Sequence, residues 1–158
     1  MRIMSFDQST KVTGYAVFDD ENYLESGVID LSKSGLETYE RSFEMAKNIW
    51  KCIKKYKPDE LIIEDVQQQS NPSTVIILAR LAGMIIGYSE AHNIRTYILK
   101  PTQWRKALKY SQGAKIKRQE LKQQSINYVK KNYGLELPED ECEAICINAA
   151  AQEIYDFI

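Results

Sequence analysis

The stretch Ser5–Asp19, SFDQSTKVTGYAVFD, limits the possible folds more than any other part of the chain. Arg2–Asp7 is a short apolar run that stops on a carboxylate, and a polar turn rich in Ser and Thr follows it. Gly14–Phe18 then reads as a second strand returning beside the first. Asp19, Asp20, Glu21 and Asn22 supply the next turn, and Tyr23–Ile29 continues the meander. A chain that opens in this way and then alternates strands with helices must build a mixed sheet, antiparallel early and parallel later.

The later elements follow from periodicity and punctuation. Between Leu36 and Tyr56 the positions Leu36, Tyr39, Phe43, Ala46, Trp50 and Ile53 recur at helical spacing and predict one buried face. Lys57 and Pro58 end that helix, and Glu60–Glu64, ELIIE, is a short strand closing on an acid. Asn71 and Pro72 form a helix start for roughly Ser73–His92. That helix is apolar on nearly every side and is expected to be covered all round. Its Gly83 and Gly87 would admit another backbone, in the core or in a second copy of the chain. Arg95–Leu99 reads as a fifth strand, followed by helices over Thr102–Lys109, Lys115–Asn132 and about Asp140–Phe157. The class is α/β, with a mixed five-stranded sheet flanked by helices. At 158 residues one domain spanning 1–158 is expected.

Charge is distributed unevenly. From Lys100 to Lys131 there are ten basic residues and one acid, Glu120, a net of +9, whereas the remainder carries 11 basic and 21 acidic residues. A solvated helical face usually mixes its signs, so this segment points to a polyanion such as nucleic acid. Cys52, Cys142 and Cys146 are odd in number and lack a secreted framework, which fits buried thiols in a reducing compartment better than disulfides or zinc. The first residues lack a signal-peptide core, and no uninterrupted apolar run reaches spanning length, so a cytoplasmic protein without membrane attachment is expected.

Asp7 closes the first strand, Glu64 the fourth, and Asp140 with Glu143 opens the last helix. If the first and fourth strands are neighbours, their ends bring Asp7 and Glu64 together, and residues at i and i+3 of a helix share a face. Two carboxylates about 4 Å apart repel by roughly 4 kcal/mol at an effective dielectric near 20, so four of them would strain the fold or take up protons unless a cation compensated. Oxygen-only ligands select Mg²⁺ or Mn²⁺, and two such ions suit phosphodiester hydrolysis. Each acid also has a plainer reading: Asp7 as a cap of its turn through Ser9 or Thr10, and Asp140 as a helix cap. Either Glu64 or Asp65 could face the site, but alternation sends them to opposite faces.

These residues resemble the RuvC family of Holliday junction resolvases in the RNase H-like superfamily, and its phage-encoded branch in particular. FDQSTKVTGYAV is similar to the family's opening strand pair, with Gln8 and Ser9 where Pro and Gly usually stand. LIIEDV resembles the strand bearing the catalytic glutamate, which selects Glu64 over Asp65, and DECEAICINAA resembles the last acidic helix, with Glu143 in place of Asp. The resemblance implies an RNase H-like fold, a homodimer, and Mg²⁺- or Mn²⁺-dependent cutting of a four-way DNA junction. Asp7 would bridge two ions, Glu64 would hold one, and Asp140 and Glu143 would complete the shell. Arg105 takes the place of a functional lysine, and Lys117 that of the lysine opening the basic helix, a role that Lys115 or Arg118 could also fill. Lys106 and Lys109 extend the expected DNA-binding set. If the chain is phage-encoded, its location is the host cytoplasm.

Where bacterial members carry a stacking aromatic three residues after the glutamate, this chain has Gln67, at the start of a Gln-Gln-Gln-Ser run. That departure opens a second reading, an endonuclease that also cuts forks and flaps. Trp104 and Tyr110 lie in the basic segment and could stack on bases, although a Trp on an amphipathic helix is more often core. Two further rivals are a junction-binding protein without catalysis and an ATP-binding protein of the actin or sugar-kinase type. The latter fold needs two such lobes and glycine-rich phosphate loops, and Gln8-Ser9-Thr10-Lys11 has no glycine.

Overall fold

The computed structural model describes residues 1–68 and 70–157, leaving Gln69 of the glutamine run and Ile158 outside. The described residues form β1 (Arg2–Asp7), β2 (Val12–Asp19), β3 (Asn22–Asp30), α1 (Thr38–Tyr56), β4 (Glu60–Glu64), α2 (Pro72–Ala91), β5 (Arg95–Leu99), α3 (Pro101–Ala107), α4 (Arg118–Tyr133) and α5 (Glu139–Ile154). The sheet runs β3-β2-β1-β4-β5, antiparallel through β3, β2 and β1 and parallel through β1, β4 and β5. The mixed sheet and the adjacency of β1 and β4 are as the sequence predicts. The parallel register of Phe6 with Ile63 places the carboxyl ends of both strands at one edge.

Strand alternation divides the core between two faces. Ile3, Ala16, Phe18 and Ile62 face α3, α4 and α5, whereas Met4, Phe6, Val17, Leu61 and Ile63 face α1 and α2. By the same alternation Ser5 and Asp7 follow Ile3, and Glu64 follows Ile62, toward α5. Fully buried Ser5 donates its hydroxyl to the Ala144 carbonyl at 2.7 Å, and Asn148 donates to Ile3 O and Ser5 Oγ at 3.3 and 3.2 Å. These bonds fix the roll of α5 on β1.

Which helix is wrapped on all sides differs from expectation. Every residue from Glu141 to Ala151 of α5 is buried. Its Ala and Cys side chains are small enough to let the helix lie close to the sheet on one side and to α3 and α4 on the other. In α2 only Leu81, Ala82, Ile85 and Ser89 are buried, while Ile76 is half exposed and Gly83 and Gly87 face open space. By length and composition α2 could cross a membrane, but Arg80 stands in its middle and its buried face joins the core shared with α1. Its start is as expected, with Asn71 Oδ1 accepting the Ser73 N–H at 3.0 Å and Pro72 in the first turn.

The stripe predicted on α1 is also displaced. Ser42, Met45, Ala46, Ile49 and Ile53 are buried, while Tyr39 and Phe43 stay exposed and pack edge to face against each other at 4.7 Å. Methionine and isoleucine fill the narrow space over the sheet, and the larger aromatics pair outside it. Cys142 and Cys146 are buried free thiols, and Cys52 is a half-buried one.

Candidate active site

At the carboxyl edge of β1 and β4 a cavity of about 460 Å³ is lined by Asp7, Glu64, Asp140 and Glu143, and on its rim by Arg105, Arg118 and Lys122. All four acids selected from the sequence therefore meet at one place. Asp65, the alternative to Glu64, does not line this cavity, and its backbone N–H continues toward β5 by donating to Leu99 O at 2.8 Å.

The plainer readings of the acids are not realised. The turn after Asp7 is closed by other side chains: Ser9 Oγ donates to Val12 O at 2.6 Å, and Thr13 Oγ1 donates to Ser9 O at 2.9 Å. Asp140 is the second residue of α5, and the cap position is Pro138, which offers no side-chain bond. The start of α5 reaches the site because β2 carries Gly14 opposite Asp7. A Cβ at Gly14 would lie 1.9 Å from the Asp140 carbonyl oxygen, so only glycine lets the helix approach this closely.

Gln8 secures the other strand. Its carboxamide donates to Glu64 O at 2.6 Å and accepts the Glu64 N–H at 3.3 Å, engaging the two peptide groups that flank the Glu64 Cα. The side chain acts as one further rung between β1 and β4, beyond the last paired residues Phe6 and Ile63. Glu64 Oε2 accepts the indole N–H of Trp104 at 2.8 Å. Neither Gln8 nor Trp104 is identifiable from sequence as a neighbour of Glu64, since Trp104 lies 40 residues away.

The carboxylates repel one another. Burial holds the Asp7 carboxyl well above the usual carboxylate range, and the charges of Glu143, Glu64 and Asp140 add to that effect. Glu64 is pushed up to about 7, chiefly by burial; the Trp104 bond opposes the rise, Glu143 adds to it, and Arg105 and Arg118 oppose it. Asp140 is raised by burial, with Lys122 and Arg118 working against the rise and Glu139 adding to it. Lys122 also pairs with Glu139, which anchors α4 against the start of α5. Among the described residues no three His, Cys, Asp or Glu side chains are drawn into a ready-made coordination set. Four oxygen donors sharing one cavity nonetheless fit a hard divalent cation by their chemistry, because such a cation offsets the repulsion that otherwise favours protonation.

The predicted basic residues divide into two groups. Arg105 and Arg118 reach the cavity rim, joined by Lys122, which belongs to the basic segment but is absent from the predicted set. Lys106, Lys109, Lys115 and Lys117 are exposed away from the cavity lining. Helix α4 begins at Arg118 rather than Lys115, with Lys117 at its cap and Gly113 at φ 131° in the preceding loop. Trp104 is fully buried, and Tyr110 packs edge to face on it at 5.4 Å while bonding Ser125 and Cys146. Both rings are thus committed to the interior rather than displayed for base stacking.

Residues 3–149 match the family model described as crossover junction endodeoxyribonuclease RuvC. A protein of that name from Fusobacterium nucleatum is 30% identical over 152 residues, covering 93% of this chain and 77% of the relative. Another from Caldicellulosiruptor saccharolyticus is 26% identical over 155 residues, covering 93% and 89%. Among solved structures, Thermus thermophilus RuvC in complex with a Holliday junction substrate superposes with a TM-score of 0.76 at 15% identity, over 97% of this chain and 94% of that one. The yeast mitochondrial Holliday junction resolvase gives a TM-score of 0.62 at 15% identity, over 96% and 77%. Both establish the same RNase H-like architecture.

Proposed function

The chain belongs to the RuvC family of crossover junction endodeoxyribonucleases, and from that membership and the geometry of its acidic cavity we propose how it works. It is an endonuclease that resolves four-way DNA junctions by hydrolysing phosphodiester bonds. The observation carrying this reading is the meeting of Asp7, Glu64, Asp140 and Glu143, from three separate elements, in one cavity rimmed by Arg105, Arg118 and Lys122.

Asp7, Glu64, Asp140 and Glu143 would hold Mg²⁺ or Mn²⁺, two ions by the family's pattern. A cation held by these acids would supply a lowered pKa for an attacking water and charge stabilisation of the leaving oxygen of the phosphodiester. The protein's own part is to fix the acids on rigid elements. Gln8 ties the ends of β1 and β4 together, and Gly14 admits α5. Arg105, Arg118 and Lys122 supply positive charge at the entrance for the DNA backbone, with exposed Lys106, Lys109, Lys115 and Lys117 extending that surface. Site residues on sheet ends and one buried helix lose little entropy on binding substrate.

We further infer a homodimer assembled through α2, whose apolar outer face and two open glycines are uncovered in the single chain. Sedimentation equilibrium of the wild type and of Gly83→Lys would test this, with a monomeric wild type contradicting it. Gln67 supports a second reading in which forks and flaps are also cut, and side-by-side cleavage of four-way, three-way and flap substrates separates the two. A location in the cytoplasm, that of the host if the chain is phage-encoded, accompanies the DNA-acting role.

The main reading is tested with a labelled synthetic four-way junction in Mg²⁺. Asp7→Asn should bind the junction with wild-type affinity and cut it at least about a thousandfold more slowly, as expected when a charged catalytic ligand is removed. Unchanged cutting by Asp7→Asn refutes the assignment. A wild type that binds but never cuts points to the non-catalytic rival.

A further inference from the structure

Trp104 is fully buried, and a buried indole N–H needs an acceptor. The acceptor here is Oε2 of Glu64, at 2.8 Å. The pairing follows from the topology. Glu64 and Leu99 are register partners in the parallel pair β4–β5, so the chain leaving β5 passes beside Glu64 as it turns into α3. Pro101 opens α3, and Gln103 Oε1 accepts the Lys100 N–H at 3.0 Å, which sets the angle of the helix. Tyr110 packs edge to face on the indole at 5.4 Å, and the Arg105 guanidinium lies 4.9 Å from the same ring. The indole is thus packed by Tyr110 and Arg105 with its N–H aimed at Glu64. Among the described residues Glu64 Oε1 takes no hydrogen bond, so the second oxygen remains free to face the cavity.

We propose that Trp104 is a positioning residue that holds Oε2 of Glu64 and thereby presents Oε1 to the cation and scissile phosphate in the cavity. Glutamate has three side-chain torsions, and without a fixed donor its head would sample several orientations in a cavity shared with other acids. A donor to one oxygen restricts the head to one orientation and still allows the charged form. The proposal rests on the reading of Glu64 as a catalytic ligand.

The test uses the full chain labelled with ¹⁵N-tryptophan, which has two indole N–H resonances. Trp50 donates to Met84 O at 3.2 Å, remote from the cavity, and serves as the internal reference. Trp50→Phe assigns the Trp104 resonance by leaving it alone in the spectrum. The Trp104 resonance should move in Glu64→Gln and on titration of the wild type with MgCl₂, while that of Trp50 stays in place. Trp104→Phe, which keeps the ring and removes the donor, should cut a saturating four-way junction about tenfold more slowly. It should also need more Mg²⁺ for half-maximal rate, with junction affinity in EDTA unchanged.

A Trp104 resonance indifferent to both Glu64→Gln and Mg²⁺ overturns the proposal, as does Trp104→Phe with the wild-type rate and Mg²⁺ dependence. If Trp104→Phe does not fold, the two shifts of the wild-type resonance decide the matter alone. Glu64→Gln that cuts like the wild type refutes the catalytic reading of Glu64 itself. Glu64→Gln that is inert, with the Trp104 resonance unmoved, refutes only the positioning role.

Discussion

Replacing Glu64 with Gln should stabilise the metal-free protein at pH 8 while removing its nuclease activity. The Glu64 carboxyl rises from an ordinary value of 4.5 to about 7, mainly because folding buries it beside Glu143. A shift of that size corresponds to about 3 kcal/mol, reduced to roughly 2 kcal/mol by the solvent and rim cations of an open cavity. Because the folded-state value is the higher one, the associated stability is fully present below about pH 4.5 and is lost as pH rises through 7. Glutamine keeps an acceptor for Trp104 but carries no charge, so it escapes that loss. For a chain of this size the gain is roughly 4–8 °C in Tm. Differential scanning calorimetry in EDTA from pH 5 to pH 8.5 would measure it, with the two proteins converging at the acid end. Added Mg²⁺ should raise the wild-type Tm at pH 8 and barely move that of Glu64→Gln, since only a ligand bound by the folded state stabilises it. A wild-type Tm independent of pH across this window, or no gain from the substitution at pH 8, would refute the picture of four uncompensated carboxylates.

Gly14→Ala should cut junctions poorly and lose about 1–3 kcal/mol in denaturant melts, because its methyl group meets the Asp140 carbonyl, which is backbone and cannot swing aside. Gln8→Ala, which forfeits two hydrogen bonds to the Glu64 backbone N–H and C=O, should cost about 1–2 kcal/mol by the same measurement and slow cutting without weakening junction binding. Arg118→Ala should lower the slope of log affinity against log salt by about one in mobility-shift titrations, leaving the shape of the Mg²⁺ dependence unchanged.

The sheet was legible because its strands are punctuated by their own chemistry. The apolar cores of β1, β4 and β5 end at Asp7, Glu64 and Lys100, and all three ranges agree with expectation. The acids were legible for a related reason, since a charge at the end of a buried strand needs a purpose and alternation fixes which face it takes. Helix burial was harder to read. The sequence of α2 says that its surface needs cover but not whose surface supplies it, and α5 hides its central position behind small residues of modest hydrophobicity. Nor does sequence spacing reveal that the Trp104 donor ends on Glu64, or that the Gln8 amide bonds that residue's backbone N–H and C=O, because both contacts exist only once β1, β4 and β5 are side by side.

The most direct measurement is a crystal of the wild-type protein soaked in Mn²⁺ and recorded at a wavelength where manganese scatters anomalously. Anomalous density should lie in the cavity within ligating distance of carboxylate oxygens from Asp7, Glu64, Asp140 and Glu143, and should vanish from crystals of Asp7→Asn. Manganese bound elsewhere, or a cavity free of anomalous density at saturating Mn²⁺, would contradict the account.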